Sequence, residues 1–313
     1  MRADRRPHAN AITPRAKLGG AERSNLIGLG LAGLGAVAFG TMAIFAKLAL
    51  QRGADPIPLL ALRFSLAAIL LLGFHLATRR SLGSRSDAVR MMLLGGIGYA
   101  FESTLFFEGL QRAPAAVVGL VFYSYPLWTT LMALFVGLEI YRHRIALALI
   151  TGTVGVSLIF SLRSTNLAGP LFALAAAVAV SVYLIAVQKA SHGIDIFNVA
   201  LWTATGAGVS LSVIAALTRG SLPRGAMPYA VALGLITALA FVALYGSIKM
   251  IGSSRSSIAM MLEPVTTVLL AAIFLEESLT LRIALGAALV VAALPLLASA
   301  PARPLTDERV DLL

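Results

Sequence analysis

Five ionisable side chains fall within or at the edges of long apolar runs: Lys47, Arg63, Glu102, Glu108 and Glu263. Charge at membrane depth is costly and persists where it binds a substrate, an ion or an opposite charge. Depth follows from the helical rise of ~1.5 Å per residue. On that scale Arg63, in the run near 57–78, lies ~9 Å below one face, and Glu102, in the run near 89–110, lies ~20 Å above the other. In a hydrocarbon core ~30 Å thick these depths coincide, so an Arg63–Glu102 pair is possible. Lys47 and Glu108 fall at the rim, where long side chains snorkel. Glu263 lies ~12–14 Å in, close to the midplane. Pro264 follows it, withholds a backbone donor and frees a carbonyl one turn earlier. A carboxylate there suits an ammonium group or a coupling proton. The plainer alternatives are structural pairs and packing kinks.

The elements that must position these charges are membrane spans. Of 313 residues, 58% are hydrophobic and 12% charged, against roughly 25% charged in a soluble domain. Uncharged stretches such as Leu171 to Val187 and Ile283 to Ala300 approach the ~20 residues of helix that a bilayer requires. They do not alternate polar with apolar, as barrel strands do. Ten spans are expected, near 26–50, 57–78, 89–110, 115–137, 145–162, 169–188, 197–217, 227–247, 255–275 and 282–299. The fold class is therefore all-α and polytopic. Residues 1–24 read as a basic tail, better suited to the cytoplasm than to a cleaved signal, and 301–313 as a second tail. With both termini cytoplasmic, inner segments hold 17 Lys/Arg and outer segments 6. That asymmetry obeys the positive-inside rule and explains the net charge of +11 without nucleic acid. The expected location is the inner, cytoplasmic membrane. Absence of cysteine excludes disulfides and thiolate metal sites.

A shift of 138 residues superposes the two halves. Between 124–147 and 262–285 nine positions are identical, among them Pro126/Pro264, Thr129/Thr267, Glu139/Glu277 and Arg144/Arg282. Each half, 25–163 and 164–300, holds five spans, so the second is inverted relative to the first. Inverted repeats of this kind place substrate near the midplane between them. Tyr125-Pro126 reaches a depth similar to that of Glu263-Pro264, giving two related helix breaks. The stretch from Glu263-Pro264 to Glu276-Glu277, its counterpart from Tyr125-Pro126 to Glu139, and Arg63-Phe64 resemble the drug/metabolite transporter superfamily, in particular its ten-helix members with two EamA domains. The resemblance covers about 26–299. It implies transport of small polar metabolites, commonly amino acids or their relatives, across the cytoplasmic membrane.

The expected substrate-contacting set is Glu263, Tyr125, Arg63, Glu102, Tyr99 and Trp202, with Tyr123, Trp128 and Tyr183 as further aromatic candidates. Glu139 and Glu277 read as structural carboxylates at span ends, near Arg144 and Arg282. Gly28-x-Gly30-x-x-Gly33 spells a dinucleotide fingerprint but lacks a preceding strand. Its better reading is the stripe Gly28, Ala32, Ala36, Gly40 on one helix face, which lets the first span pack closely. His8, His75, His143 and His192 have no ligand spacing, and no Walker motif is present, so no metal or other cofactor is expected. The expected partners are a small molecule, a coupling proton and the bilayer, with the chain a monomer or a homodimer. The expected function is export by alternating access. Lipophilic cations or nucleotide sugars are the rival substrates. An intramembrane enzyme or a regulatory membrane protein is the rival class, and no nucleophile–His pair supports the enzyme.

Overall fold

The computed structural model describes residues 14–113, 115–159, 167–218, 220–274 and 279–299. Its elements, in chain order, are α1 (Pro14–Gln51), α2 (Pro56–Thr78), α3 (Arg85–Leu93), a π-helical segment (Leu94–Tyr99), α4 (Ala100–Arg112), α5 (Ala115–Phe122), α6 (Tyr125–Phe135) and α7 (His143–Ile159). They are followed by α8 (Ala168–Ala190), α9 (Ile196–Thr218), a 3₁₀ turn (Arg224–Ala226), α10 (Met227–Ala259), α11 (Leu262–Phe274) and α12 (Leu281–Ala298). Among the described residues, seven helical stretches are long and apolar enough to cross a bilayer unaided. The other crossings are α7, the α3–π–α4 rod and the segment from 253 through α11, which completes the ten. The fold is that of a polytopic helical membrane protein. Helix α1 begins at Pro14, inside the stretch expected to be a tail.

The ends of the elements are set by local chemistry. Asp55 is extended and Pro56 opens α2, where its missing donor costs nothing. Ser84 and Thr280 cap α3 and α12 by accepting from the backbone N–H of Asp87 and Ile283. The largest departure from expectation lies at 248–254. The stretch between the spans expected near 227–247 and 255–275 reads as a connecting loop, yet only Gly252 turns the chain. It takes φ 81°, ψ 164°, a region essentially reserved for glycine. The Ser247 and Ser256 hydroxyls then meet at 2.7 Å. Nine residues of straight helix would hold them ~13 Å apart, so α10 doubles back and the next crossing starts at once.

Packing follows the repeat. The 138-residue shift relates α1 to α8, α2 to α9, α3–α4 to the long first part of α10, α5–α6 to 253–274, and α7 to α12. Helix α1 packs on α10 and α11, while α8 packs on α4 and α6. Helix α2 packs on α10, and α9 packs on the π segment and α3. The pairs α2–α9 and α7–α12 map onto themselves, as helices on a two-fold axis do. Repeat-related glycines make two of these contacts possible. A Cβ on Gly96 would lie 2.7 Å from the Ser210 hydroxyl of α9, and one on Gly234 would lie 2.5 Å from Leu66 of α2. Within α7–α12, Arg144 at the start of one helix donates to the Ser299 carbonyl at the end of the other, and Arg282 donates to Ser157 in return. These arginines therefore hold the carbonyl ends of the opposing helix, and Arg144 does so in place of the Glu139 that the sequence suggested. Glu277 lies outside the described residues.

The stripe on α1 is a packing face. Ala32 and Ala36 are fully buried. A Cβ on Gly28 would lie 2.5 Å from Ile251, and one on Gly40 2.7 Å from the Glu263 carbonyl. Asn25 near the start of the apolar part of α1 donates to Ala298 near the end of α12. This end of the molecule also holds Arg144 against Ser299 and the 252 turn beside Gly28. It is referred to below as the terminal end.

Candidate substrate site

The fourth and ninth crossings both break midway. Helix α5 stops at Phe122, and α6 restarts at Tyr125 with Pro126 in its first turn. In the ninth, helix is interrupted at Met260–Met261 and resumes at Leu262, with Pro264 in its first turn. The restarting turns are repeat-equivalent. Thr129 donates to the Tyr125 carbonyl and Thr267 to the Glu263 carbonyl, each four residues back. Each break is also approached by the neighbouring repeat. Ser181 of α8 donates to the Tyr125 carbonyl at 3.0 Å, and Gly40 of α1 lies against the Glu263 carbonyl. The carbonyls of both restarting turns thus gain side-chain hydroxyl donors within the protein.

Around these breaks the charged and phenolic groups converge. Glu263 shares a side-chain hydrogen bond with Tyr123. Arg63, Glu102 and Glu263 lie within electrostatic reach of Tyr99, and Glu263, Tyr99 and Glu102 within reach of Tyr125. The Arg63–Glu102 ion pair anticipated from depth does not form. Arg63 Nε instead donates to the Thr237 hydroxyl at 2.7 Å, and that hydroxyl donates to the Leu233 carbonyl. Glu102 accepts from Ser103 at 3.1 Å. One guanidinium thus faces two carboxylates with no direct bond to either among the described residues. Each of the three is held instead by a neutral hydroxyl: Arg63 by Thr237, Glu102 by Ser103 and Glu263 by Tyr123. Arg63, Tyr99 and Glu263 are partly buried, and Glu102 is buried.

Tyr99 is also the hub of an aromatic layer. Its ring meets Phe64, Tyr183 and Phe241 edge-on at 5.2–5.3 Å, and Phe241 meets Tyr245 at 5.2 Å. The Tyr183 and Tyr245 hydroxyls hydrogen-bond to each other. These two residues sit late in α8 and late in the first part of α10, toward the terminal end. The layer therefore floors the charged cluster. The π segment positions its hub: the Ala100 N–H reaches back five residues to the Gly95 carbonyl, shifting the register ahead of Tyr99 and Glu102.

Of the residues singled out from sequence, Glu263, Tyr125, Arg63, Glu102 and Tyr99 come together, and Pro126 and Pro264 mark the two breaks. Trp202 does not join them. Its indole N–H donates to the Leu82 carbonyl in the α2–α3 connection, an interfacial position for an amphipathic ring. Glu139 lies at a span end, with Arg255 as its partner in place of the Arg144 suggested by sequence. It is buried, and Arg255 Nε donates to its Oε2 at 3.3 Å. Glu108 pairs with Arg112 on its own helix, at the rim of a cavity of about 250 Å³ on the end away from the termini. Sequence reasoning missed Thr237, Phe241, Tyr245 and Arg255. Thr237 carried a usable signal, since the 138-residue shift maps it onto Tyr99.

Two related helical halves whose midway breaks converge on a charge cluster form the architecture of a secondary transporter. Residues 26–161 and 167–299 each match the EamA-like transporter family, and the chain belongs to that family. It is similar to the uncharacterized transporter YcbK of Bacillus subtilis (strain 168), with 26% identity over 270 residues spanning 81% of this chain and 86% of that one. A solved crystal structure has the same fold, with a TM-score of 0.76 at 21% identity over 88% of this chain and 98% of its own. The protein is a multi-pass membrane transporter of the drug/metabolite type, and its relationships point away from an enzyme.

Proposed function

We propose that the chain exports small polar metabolites, of the amino-acid kind, across the cytoplasmic membrane by alternating access, with both termini in the cytoplasm. The observation that carries this reading is the meeting of Arg63, Glu102 and Glu263 beside the two helix breaks, one break from each half. A zwitterion offers a carboxylate to Arg63 and an ammonium group to Glu263. The second carboxylate, Glu102, is then free to hold a coupling proton. The orientation is supported by the 17 to 6 distribution of Lys and Arg. The energy source is a gradient of substrate or ion, since the sequence has no Walker motif. The excess of carboxylates and the aromatic layer also suit a lipophilic cation, which is the second reading.

The test is counterflow in proteoliposomes. A labelled neutral amino acid is expected to accumulate against unlabelled amino acid inside, and Glu263→Gln is expected to abolish the exchange. Exchange of a lipophilic cation with no amino-acid exchange would favour the second reading. No exchange with any metabolite would sink both.

A further inference from the structure

The two repeats are not in the same conformation, and the difference lies at the two ends of the broken crossings. At the terminal end, α6 packs on α10. The Ser254 hydroxyl donates to the Thr130 hydroxyl at 3.0 Å, and Arg255 donates to Glu139 at 3.3 Å. Arg255 is 1% exposed and Glu139 7%, and Ser253, Ser254, Ser256 and Ser257 beside them are all buried. The 138-residue shift maps this contact onto α5 against α11, at the other end. There, among the described residues, no comparable packing is made. That end instead holds the cavity lined by Asp55, Thr104, Phe107, Glu108 and Thr218. Thr104 and Glu108, four residues apart on one face of α4, line it together. Among the described residues, the terminal end is closed by this packing, and the opposite end holds a cavity where the repeat-related contact would fall.

We infer that the Glu139–Arg255 pair is the latch of the terminal end, whose opening and closing switches the path to the site. This rests on the alternating-access reading above. The pair joins the first repeat to the second, and each partner is on a broken crossing or at its end. Arg255 precedes Glu263 by eight residues, about two turns, and Glu139 follows the Tyr125 break at the end of the fourth crossing. Movement of either break is therefore transmitted along one short helix to the latch. An ion pair suits reversible closure. Burial strips water from both charges while their attraction returns a comparable free energy, so the closed and hydrated open states lie close together. Loss of the Glu139 carboxylate removes a buried counter-charge from Arg255 and favours opening. Replacement of both by apolar groups favours closure, because opening would wet them.

The chain has no cysteine, so single reporters can be introduced without background. Ser257→Cys reports the terminal end and Thr104→Cys the opposite cavity, each read by membrane-impermeant maleimide applied to one side of oriented vesicles. In the otherwise native chain Thr104→Cys is expected to label and Ser257→Cys to resist. Glu139→Gln is expected to raise Ser257→Cys labelling at least about tenfold. Glu139→Leu with Arg255→Met is expected to keep the fold, keep Ser257→Cys protected and abolish substrate counterflow. Full counterflow by that folded double variant would mean that the pair is merely structural. Unchanged labelling in Glu139→Gln would likewise overturn the latch, and Arg255→Gln repeats the measurement if the first variant does not fold. If Ser257→Cys labelling rises while Thr104→Cys labelling does not fall, the latch stands and the alternating-access reading fails.

Discussion

Thr237 holds Arg63 by its Nε and leaves the rest of the guanidinium to the site. The hydroxyl is fully buried, and its own proton is committed to the Leu233 carbonyl, so it presents a lone pair to the arginine. Thr237→Val keeps the shape and removes that acceptor. A hydrogen bond to a charged group is worth about 1.5–3 kcal/mol. The apparent KM for counterflow is therefore expected to rise roughly tenfold or more, with the melting temperature in detergent lowered by only a few degrees. An unchanged KM would show that Arg63 is positioned by other contacts. Most of this cluster was legible as charge in an apolar run, because the cost of burying Arg63, Glu102 and Glu263 makes them conspicuous. The pairing was not legible. Depth along a helix axis is one coordinate, and it brings Arg63 level with Glu102 without fixing which way either helix faces. Trp202 fails for the same reason. Its place in an apolar run said nothing about the Leu82 carbonyl that engages it.

The helices themselves were readable from run lengths, whereas the breaks and turns were readable only where proline announced them. Pro126 and Pro264 locate both interruptions to within a turn. The 252 turn has no proline, and the serines and arginine after it suggest solvent although all of them are buried. Conformation carries that turn: Gly252 sits where any other residue is strained by about 1–3 kcal/mol. Gly252→Ala is expected to lower stability by that amount, as an earlier thermal or urea transition, while Gly225→Ala, with open space around its Cβ position, is expected to be neutral. The π segment makes a second element-scale demand. A Cβ on Gly95 would lie 2.0 Å from the Thr203 carbonyl oxygen, and one on Gly206 would lie 2.0 Å from that of Met92. Backbone cannot step aside as a side chain can, so Gly206→Ala is expected to force α9 off the end of α3, which leads into the π segment, and to displace Tyr99 with it. Loss of counterflow in a protein that still inserts and folds is the expected result. Normal counterflow would show that the close approach is dispensable.

Over the whole molecule, the 138-residue relation predicts a second conformation from the first. Two halves of related sequence adopt two conformations, and exchanging them gives a state open at the terminal end and closed at the other. The contact between Thr130 and Ser254 then has a counterpart between positions 268 and 116, since the shift carries 130 to 268 and 254 to 116. Hydroxyls 3.0 Å apart place positions 130 and 254 near the separation that a disulfide spans. Thr130→Cys with Ser254→Cys is expected to oxidise readily in the conformation described, seal the terminal end and stop counterflow until a reductant is added. Ala116→Cys with Val268→Cys is expected to trap the exchanged state, with the same reversible loss of counterflow but with Ser257→Cys newly open to maleimide from the terminal side. The second trap is the discriminating one. If cysteines at 116 and 268 never cross-link in a folded, active protein, the repeats do not exchange conformations, and the inverted duplication serves architecture alone.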